Sequence, residues 1–347
     1  MAINTTGSIA GHALPTLPSV VVDSYNLDVR EGREILNHRL RKAAFYDLID
    51  PIELDQSAVT EKRTSHRISR KDLETALESG GSAASLEVEK AVEIFAGEMA
   101  HVIGKFLKTK EWSGVERIVI GGGFRKGKIG KLCIARAGAK LAAEGAKVEL
   151  VPTRHKPDEA GLIGGAHILP TWMLDGHDAI LCADIGGTNI RVGIVALRFS
   201  KAADLSKAEV AASDIWHHAE DDPKRTATVA TLVRMLRSMQ KTAAKRKLAL
   251  VPVISLGCPG IIDQDGSIVH GAVNLPGGNW ESEHFNLAAA VAKEIPVIGS
   301  HSTLLLMHND AVVQGLSQIP WMQDVKRWGV MTIGTGLGNA CFTTRQV

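Results

Sequence analysis

Asp184-Ile185-Gly186-Gly187-Thr188-Asn189 follows the apolar run Ala179-Ile180-Leu181-Cys182-Ala183, and its reading decides the fold. A strand that turns sharply through glycines presents bare backbone N–H groups and a threonine side chain, which suits phosphate oxygens. A second such loop, Thr332-Ile333-Gly334-Thr335-Gly336-Leu337-Gly338, follows Gly329-Val330-Met331. Either loop alone is a weak sign, since glycine turns after strands are common. Together, with an acid opening the first, they point to a phosphotransferase whose two loops close on one nucleotide from opposite sides.

The surrounding pattern alternates strands and helices. Ile118-Val119-Ile120, a helix over 132–144 and Val148-Glu149-Leu150-Val151 form a β-α-β unit, followed by a helix over 159–169. Strands then fall at 179–184, 191–197, 251–256 and 296–298, with a helix over 225–245. Residues 28–108 read as mainly helical. Ser69 is placed to cap a helix that stops at Gly80-Gly81, and Ala91, Ile94, Phe95, Met99, Val102, Ile103 and Phe106 recur at helical spacing. That stripe is core packing. Pro170 to Asp178 is the best linker candidate. Such alternation predicts α/β layers.

Composition bounds the class without naming the chemistry. With 347 residues, two domains around two cores are expected. The chain is 45% hydrophobic and 22% charged with a formal net charge of +2, ordinary for a soluble globular protein and no argument for a nucleic-acid partner. Arg39-Leu40-Arg41-Lys42 and Arg125-Lys126-Gly127-Lys128 read as solvated faces. Cys133, Cys182, Cys258 and Cys341 form no paired spacing, so buried thiols and no structural zinc are expected. Neither a signal peptide nor a membrane span is legible, and a cytoplasmic location is the expectation.

These motifs resemble those of the ROK sugar kinases (repressors, open reading frames and kinases), within the superfamily of sugar kinases, actin and heat-shock chaperone ATPases. Asp184 to Gly193 is similar to that family's first phosphate motif, and Thr332 to Gly338 to its second. Gly257-Cys258-Pro259-Gly260 and Asn274-Leu275-Pro276-Gly277 resemble its substrate-side loops. His308-Asn309-Asp310-Ala311, with Gly315 five residues after Asp310, resembles its catalytic helix. Upstream, Glu116 to Gly123 resembles the adenosine motif, Ile68 to Ala76 a helix start that normally precedes it, and Asp158 to Ala166 the helix that normally closes the chain. The order is a rotation of the family's. The resemblance covers 66–340 and implies a two-lobed ribonuclease-H-like (actin-like ATPase) fold, circularly permuted. The lobes expected are 1–170 with the adenosine motif, 178–300 with the first phosphate motif, and 301–347 returning to the larger lobe. Neighbouring domain termini make such a rotation tolerable.

The resemblance implies ATP-dependent phosphorylation of a hexose or hexose derivative in the manner of a glucokinase, with ATP and Mg2+ as cofactors. Asp310 becomes the general base, although a capping or salt-bridge aspartate is an equal reading of the residue by itself. Asp184 would lie near Mg2+, through water because that ion yields its shell reluctantly; by itself it reads as an acid ending a strand and capping a turn. Gly186, Gly187, Thr188 and Asn189 would meet the phosphates on one side, and Gly334, Thr335 and Gly336 on the other. Gly121, Gly122 and Gly123 would pass close to the adenosine, since a side chain there would block the approach. Asn309, Asn274, Gly260 and His12 are the sugar-binding candidates. Asn274 and Asn279 also suit ordinary turns, and Trp280 suits either sugar stacking or the core edge. Arg191 and Lys128 read as solvated surface charges.

One departure stands out. Many ROK proteins carry Glu-x-Gly-His and a cysteine-rich zinc loop. Here Gly11-His12 is the only remnant, with Ile9 where the glutamate should be and no Cys-x-Cys or Cys-x-x-Cys. That favours a second reading, a catalytically weak sugar- or nucleotide-binding regulator. A third, a DNA-binding repressor, rests only on Lys62-Arg63, Arg67 and Arg70-Lys71. Relatives are often homodimers, but no interface is legible.

Overall fold

The computed structural model describes residues 11–49, 69–272 and 275–345. They fall into two compact units. The first comprises Met1–Asn26, Asp158–Lys326 and Phe342–Val347, and the second Leu27–Pro157 and Arg327–Cys341. This division differs from the lobes expected at 1–170, 178–300 and 301–347. Asp158 and the helix it opens belong with the first phosphate motif, and so does the Asp310 helix. Pro170 to Asp178 is no linker: it lies inside the first unit, where Thr171–Leu174 is a helical turn with Leu174 buried.

Ten strands build the two main sheets: β1 (Val20–Tyr25), β2 (Arg117–Gly121), β3 (Glu149–Pro152), β4 (Ala179–Ile185), β5 (Ile190–Ala196), β6 (Glu209–Trp216), β7 (Leu250–Cys258), β8 (Leu304–Asn309), β9 (Arg327–Ile333) and β10 (Leu337–Thr344). In the first unit the order is β8–β7–β4–β5–β6. β4, β5 and β6 are antiparallel neighbours, whereas β4, β7 and β8 run parallel. This is the ribonuclease-H-like layer that the resemblance implied. The other sheet has the order β1–β10–β9–β2–β3, with β9, β2 and β3 parallel. Counting β1 after β10 turns this order into the first sheet's. Two such layers are consistent with an actin-like ATPase fold.

β4 is buried at every residue, as expected of a central strand covered on both faces. β8 was not legible: Leu304-Leu305-Leu306-Met307-His308-Asn309 lacks β-branched residues, and only parallel pairing with Val253 to Cys258 makes it a strand. Pro296 to Ile298 contributes only Val297–Ile298, paired outside the main sheet with His301–Ser302.

Helix α1 (Ala83–Leu107) and helix α2 (Lys128–Ala143) bury their apolar faces in the second unit, where Phe45, Phe95 and Phe124 meet edge-on or tilted. Ser69 caps the preceding helix, Arg70–Glu78, in a reciprocal box with Asp72. Ile94 breaks the apolar stripe by facing solvent. The four cysteines are buried, and burial pushes the Cys133 thiol up to about 12. Among the described residues no helix is long and apolar enough to cross a membrane.

Candidate functional site

The first unit brings its acids together at the carboxyl ends of parallel strands. Asp184 sits next to last in β4, in register with Gly257 of β7, which pairs onward with His308 of β8. Beyond helix α4 (Arg225–Lys245), Asp310 follows β8 directly and opens helix α5 (Asp310–Leu316). A Cβ placed on Gly257 would lie 3.4 Å from Asp184 Oδ1 and 3.5 Å from Asp310 Cα, so one glycine separates the two acids. Burial, and secondarily the charge of Asp184, pushes Asp310 up to about 7. A carboxyl poised near neutrality and partly open to solvent can accept a proton from a hydroxyl at working pH.

Asp184 is itself buried, and that burial raises its pKa against the opposing charge of Arg191. Arg191 Nη1 lies 3.5 Å from Asp184 Oδ2, and Arg191 Nη2 lies 2.9 Å from Asp158 Oδ1. Arg191 is therefore an enclosed bridge between two acids, 17% exposed, and not the solvated charge expected from sequence. Asp184 Oδ1 is buried and has no hydrogen-bond partner among the described residues. An orphaned carboxylate oxygen of this kind fits a cation or its bound water.

Helix α3 (Pro157–Ala166) makes the arrangement possible by presenting glycine to the sheet. A Cβ on Gly161 would fall 2.5 Å from Asp184 Cγ, and one on Gly165 would fall 2.8 Å from Cys182 Sγ. The glycine face of α3 was legible as a motif, but not the surface it contacts.

Three carbonyls of the hairpin between β4 and β5 are taken up by hydrogen bonds. Asn189 O accepts from Gly186 N at 2.9 Å, Thr188 O from Ala219 N at 3.3 Å, and Gly186 O from His218 Nε2 at 2.8 Å. His217 Nδ1 lies 2.6 Å from Asn189 Oδ1, which can only accept. Sequence reading missed both histidines, because residues distant in the chain reach the hairpin only once β6 has been paired.

In the second unit the other two glycine motifs meet. Gly121 is in register with Thr332, and Gly122 (φ 79°) crosses so close to β9 that a Cβ would lie 2.4 Å from Ile333 O. Glycine is required there by the protein's own backbone. At Gly123, Gly334 and Gly336 it is not: none has a left-handed φ, and no atom of the described residues lies within 4 Å of an added Cβ. Thr335 between the latter two is exposed, and Gly334 N bonds Gly336 O at 2.9 Å.

The sugar candidates are engaged otherwise. Asn309 is fully buried; its Oδ1 caps α5 by accepting from Ala311 N and Val312 N, and its Nδ2 donates to Gly260 O at 3.0 Å. Gly260 (φ 100°) is a turn residue whose Cβ would strike His270 O. His12 lies along the edge of β8: its Nδ1 accepts from Met307 N at 3.1 Å, and burial lowers its pKa. Asn274 lies outside the described residues, as do Ile68, Ile9, Lys62-Arg63 and Arg67. Trp280 covers the core edge, donating from Nε1 to Pro276 O, and Asn279 serves a turn through Glu281 N. Lys128 is exposed and paired with Glu78.

No protein-family model matches the chain, and no curated protein matches it. Among solved structures it is similar to a candidate sugar kinase from Cytophaga hutchinsonii, at 18% identity and a TM-score of 0.35, over 47% of each chain. It is also similar to a candidate N-acetylmannosamine kinase from Listeria monocytogenes, at 23% identity and a TM-score of 0.31, over 48% of this chain and 47% of that one. An exopolyphosphatase from Cytophaga hutchinsonii matches at 15% identity and a TM-score of 0.23, over 55% and 52%. The chain spans about half the length of each of these proteins. Likeness of this degree assigns no activity.

Proposed function

We propose that this protein phosphorylates a hexose or hexose derivative from ATP, with Asp310 as the general base. The observation that carries the reading is Asp310 itself: half-buried, one glycine from Asp184, and pushed up to about 7. Phosphoryl transfer needs alignment, charge neutralisation and an acceptor for the hydroxyl proton, and little covalent work. Asp310 would take that proton on its carboxylate as the sugar oxygen attacks. The tied-back hairpin at Gly186 to Asn189, and the space beside Gly334 and Gly336 that no described residue fills, suit phosphate oxygens.

Mg2+ accompanying ATP would neutralise charge on the phosphates. Asp184 would hold it, through the oxygen that has no hydrogen-bond partner among the described residues, while Arg191 balances the other oxygen. The chain order is read here as a rotated one, because the second sheet matches the first only when β1 follows β10. The ROK assignment is part of this reading. A regulatory, catalytically weak protein is the second reading, favoured by one observation: Asn309, Gly260 and His12 all spend polar atoms on internal bonds.

The test is ADP release from Mg-ATP across a panel of hexoses and N-acetylated hexosamines. Sugar-dependent turnover establishes the kinase and names its substrate, whereas none with any sugar leaves the regulatory reading. The rate should fall as pH drops through about 7, because only the ionised Asp310 accepts a proton. A flat profile between pH 6 and pH 8 under rate-limiting chemistry would remove Asp310 as the base. Asp184→Asn should weaken Mg-ADP binding about tenfold or more in calorimetry, as expected for loss of a charged ligand group; unchanged affinity would place the cation elsewhere.

A further inference from the structure

The segment after β6 has no role in the chemistry proposed above, yet it takes up two of the hairpin's backbone carbonyls and one of its side chains. His218 is 1% exposed, and its Nε2 donates to Gly186 O. Ala219 N takes Thr188 O, and His217 lies on the Asn189 amide oxygen. The segment is braced on itself, since Trp216 Nε1 donates to Asp221 Oδ2 at 2.6 Å and the Trp216 and His218 rings pack edge to face. A loop that receives an anion must keep its carbonyl dipoles away from the ligand, because an outward carbonyl oxygen repels phosphate where an amide attracts it. In this hairpin the Gly186 and Thr188 carbonyls are held by donors from Trp216–Asp221, a part of the chain remote in sequence.

We propose that His218 is a positioning residue for the nucleotide phosphates, holding the Gly186 carbonyl away from the ligand so that the hairpin can receive an anion. The inference rests on the nucleotide reading of that hairpin. It makes His218 important for its Nε2 donor and not for its bulk. Phenylalanine preserves ring volume and the packing on Trp216 but donates nothing. Glutamine places an amide nitrogen about where the imidazole Nε2 stands.

The experiment is calorimetric titration of the full chain with Mg-ADP, alongside KM and kcat for ATP and thermal midpoints. His218→Phe should weaken Mg-ADP binding about tenfold and raise KM for ATP by a similar factor, with kcat less affected, because the half-buried Gly186 carbonyl loses its donor and is freed to turn towards the phosphates. His218→Gln should recover most of that affinity. His217→Ala, at an exposed position, should fold normally and weaken binding about threefold, so the inference stays testable if the phenylalanine variant fails to fold. Wild-type affinity in His218→Phe would overturn the inference. So would equal losses in the Phe and Gln variants that track their thermal midpoints, since the ring would then matter for packing alone. Should wild-type protein bind no Mg-ADP, the nucleotide reading of the hairpin falls and the inference with it.

Discussion

Asp310→Asn is expected to abolish sugar-dependent turnover while making the protein more stable at pH 8. The substitution keeps the shape of the side chain and removes its ability to accept a proton. General-base catalysis contributes roughly 10²–10⁴-fold, so the rate should fall by about that factor with KM for ATP little changed. The stability effect has the opposite sign. A carboxyl held at about 7 in the folded protein, against 3.8 for the ordinary group, prefers its neutral form when folded. The raised value means the folded state binds a proton that the unfolded state has lost between those two pH values. Stability from that proton is fully present below pH 4 and is lost as pH rises through 7. Above pH 7 the folded protein carries a carboxylate that its surroundings disfavour, at a cost of roughly 2–4 kcal/mol. Asparagine carries no such charge. Thermal denaturation at pH 8 and pH 4 checks this: the gain should appear at pH 8 and shrink towards pH 4. A variant that keeps turnover sinks the catalytic role. One that loses turnover with no gain at pH 8 shows Asp310 to be less enclosed than its position indicates.

Asp310 was legible in the sequence; its surroundings were not. The acid and its place before a short helix were visible in His308-Asn309-Asp310-Ala311. Its environment was not, because Asp184 lies far away in the chain and reaches Asp310 only through the register of β4, β7 and β8. Local signals performed well wherever local physics dominates: the Ser69 cap, the glycine turns and the buried run of β4 all follow from short stretches. They failed where neighbours decide. β8 is built of helix-forming leucines, and Asn309 reads as a sugar ligand until its amide is found capping α5. Arg191 reads as surface charge until Asp158 arrives from another helix. The lobes expected from the motifs divide the chain differently from the two compact units for the same reason, since the glycine face of α3 finds its partner surface only in three dimensions.

That glycine face carries the second large effect. Gly164→Ala should cost on the order of 3 kcal/mol or more, in the upper range for overpacking a well-filled core. Helix propensity pulls the other way, since alanine in a helix interior is favoured over glycine by about 1 kcal/mol. Sterics win here. The added methyl would lie 1.7 Å from Val313 O and 3.1 Å from Ser317 N, and backbone atoms cannot rotate aside as a side-chain tip can. Relief requires α3 and α5 to separate, and α5 is the helix that Asp310 opens. The variant should therefore melt roughly 5–10 °C lower, and its remaining folded fraction should turn over slowly because the base has moved. Gly334→Ala is the matched control. The same methyl there meets no atom of the described residues within 4 Å, and the backbone is outside the left-handed region that would strain alanine. Its melting temperature should stay within a degree or two of wild type while its affinity for Mg-ADP falls. If Gly164→Ala melts like wild type, α3 and α5 are not packed as tightly as described. If Gly334→Ala binds Mg-ADP unchanged, the space beside that glycine is not where the phosphates lie.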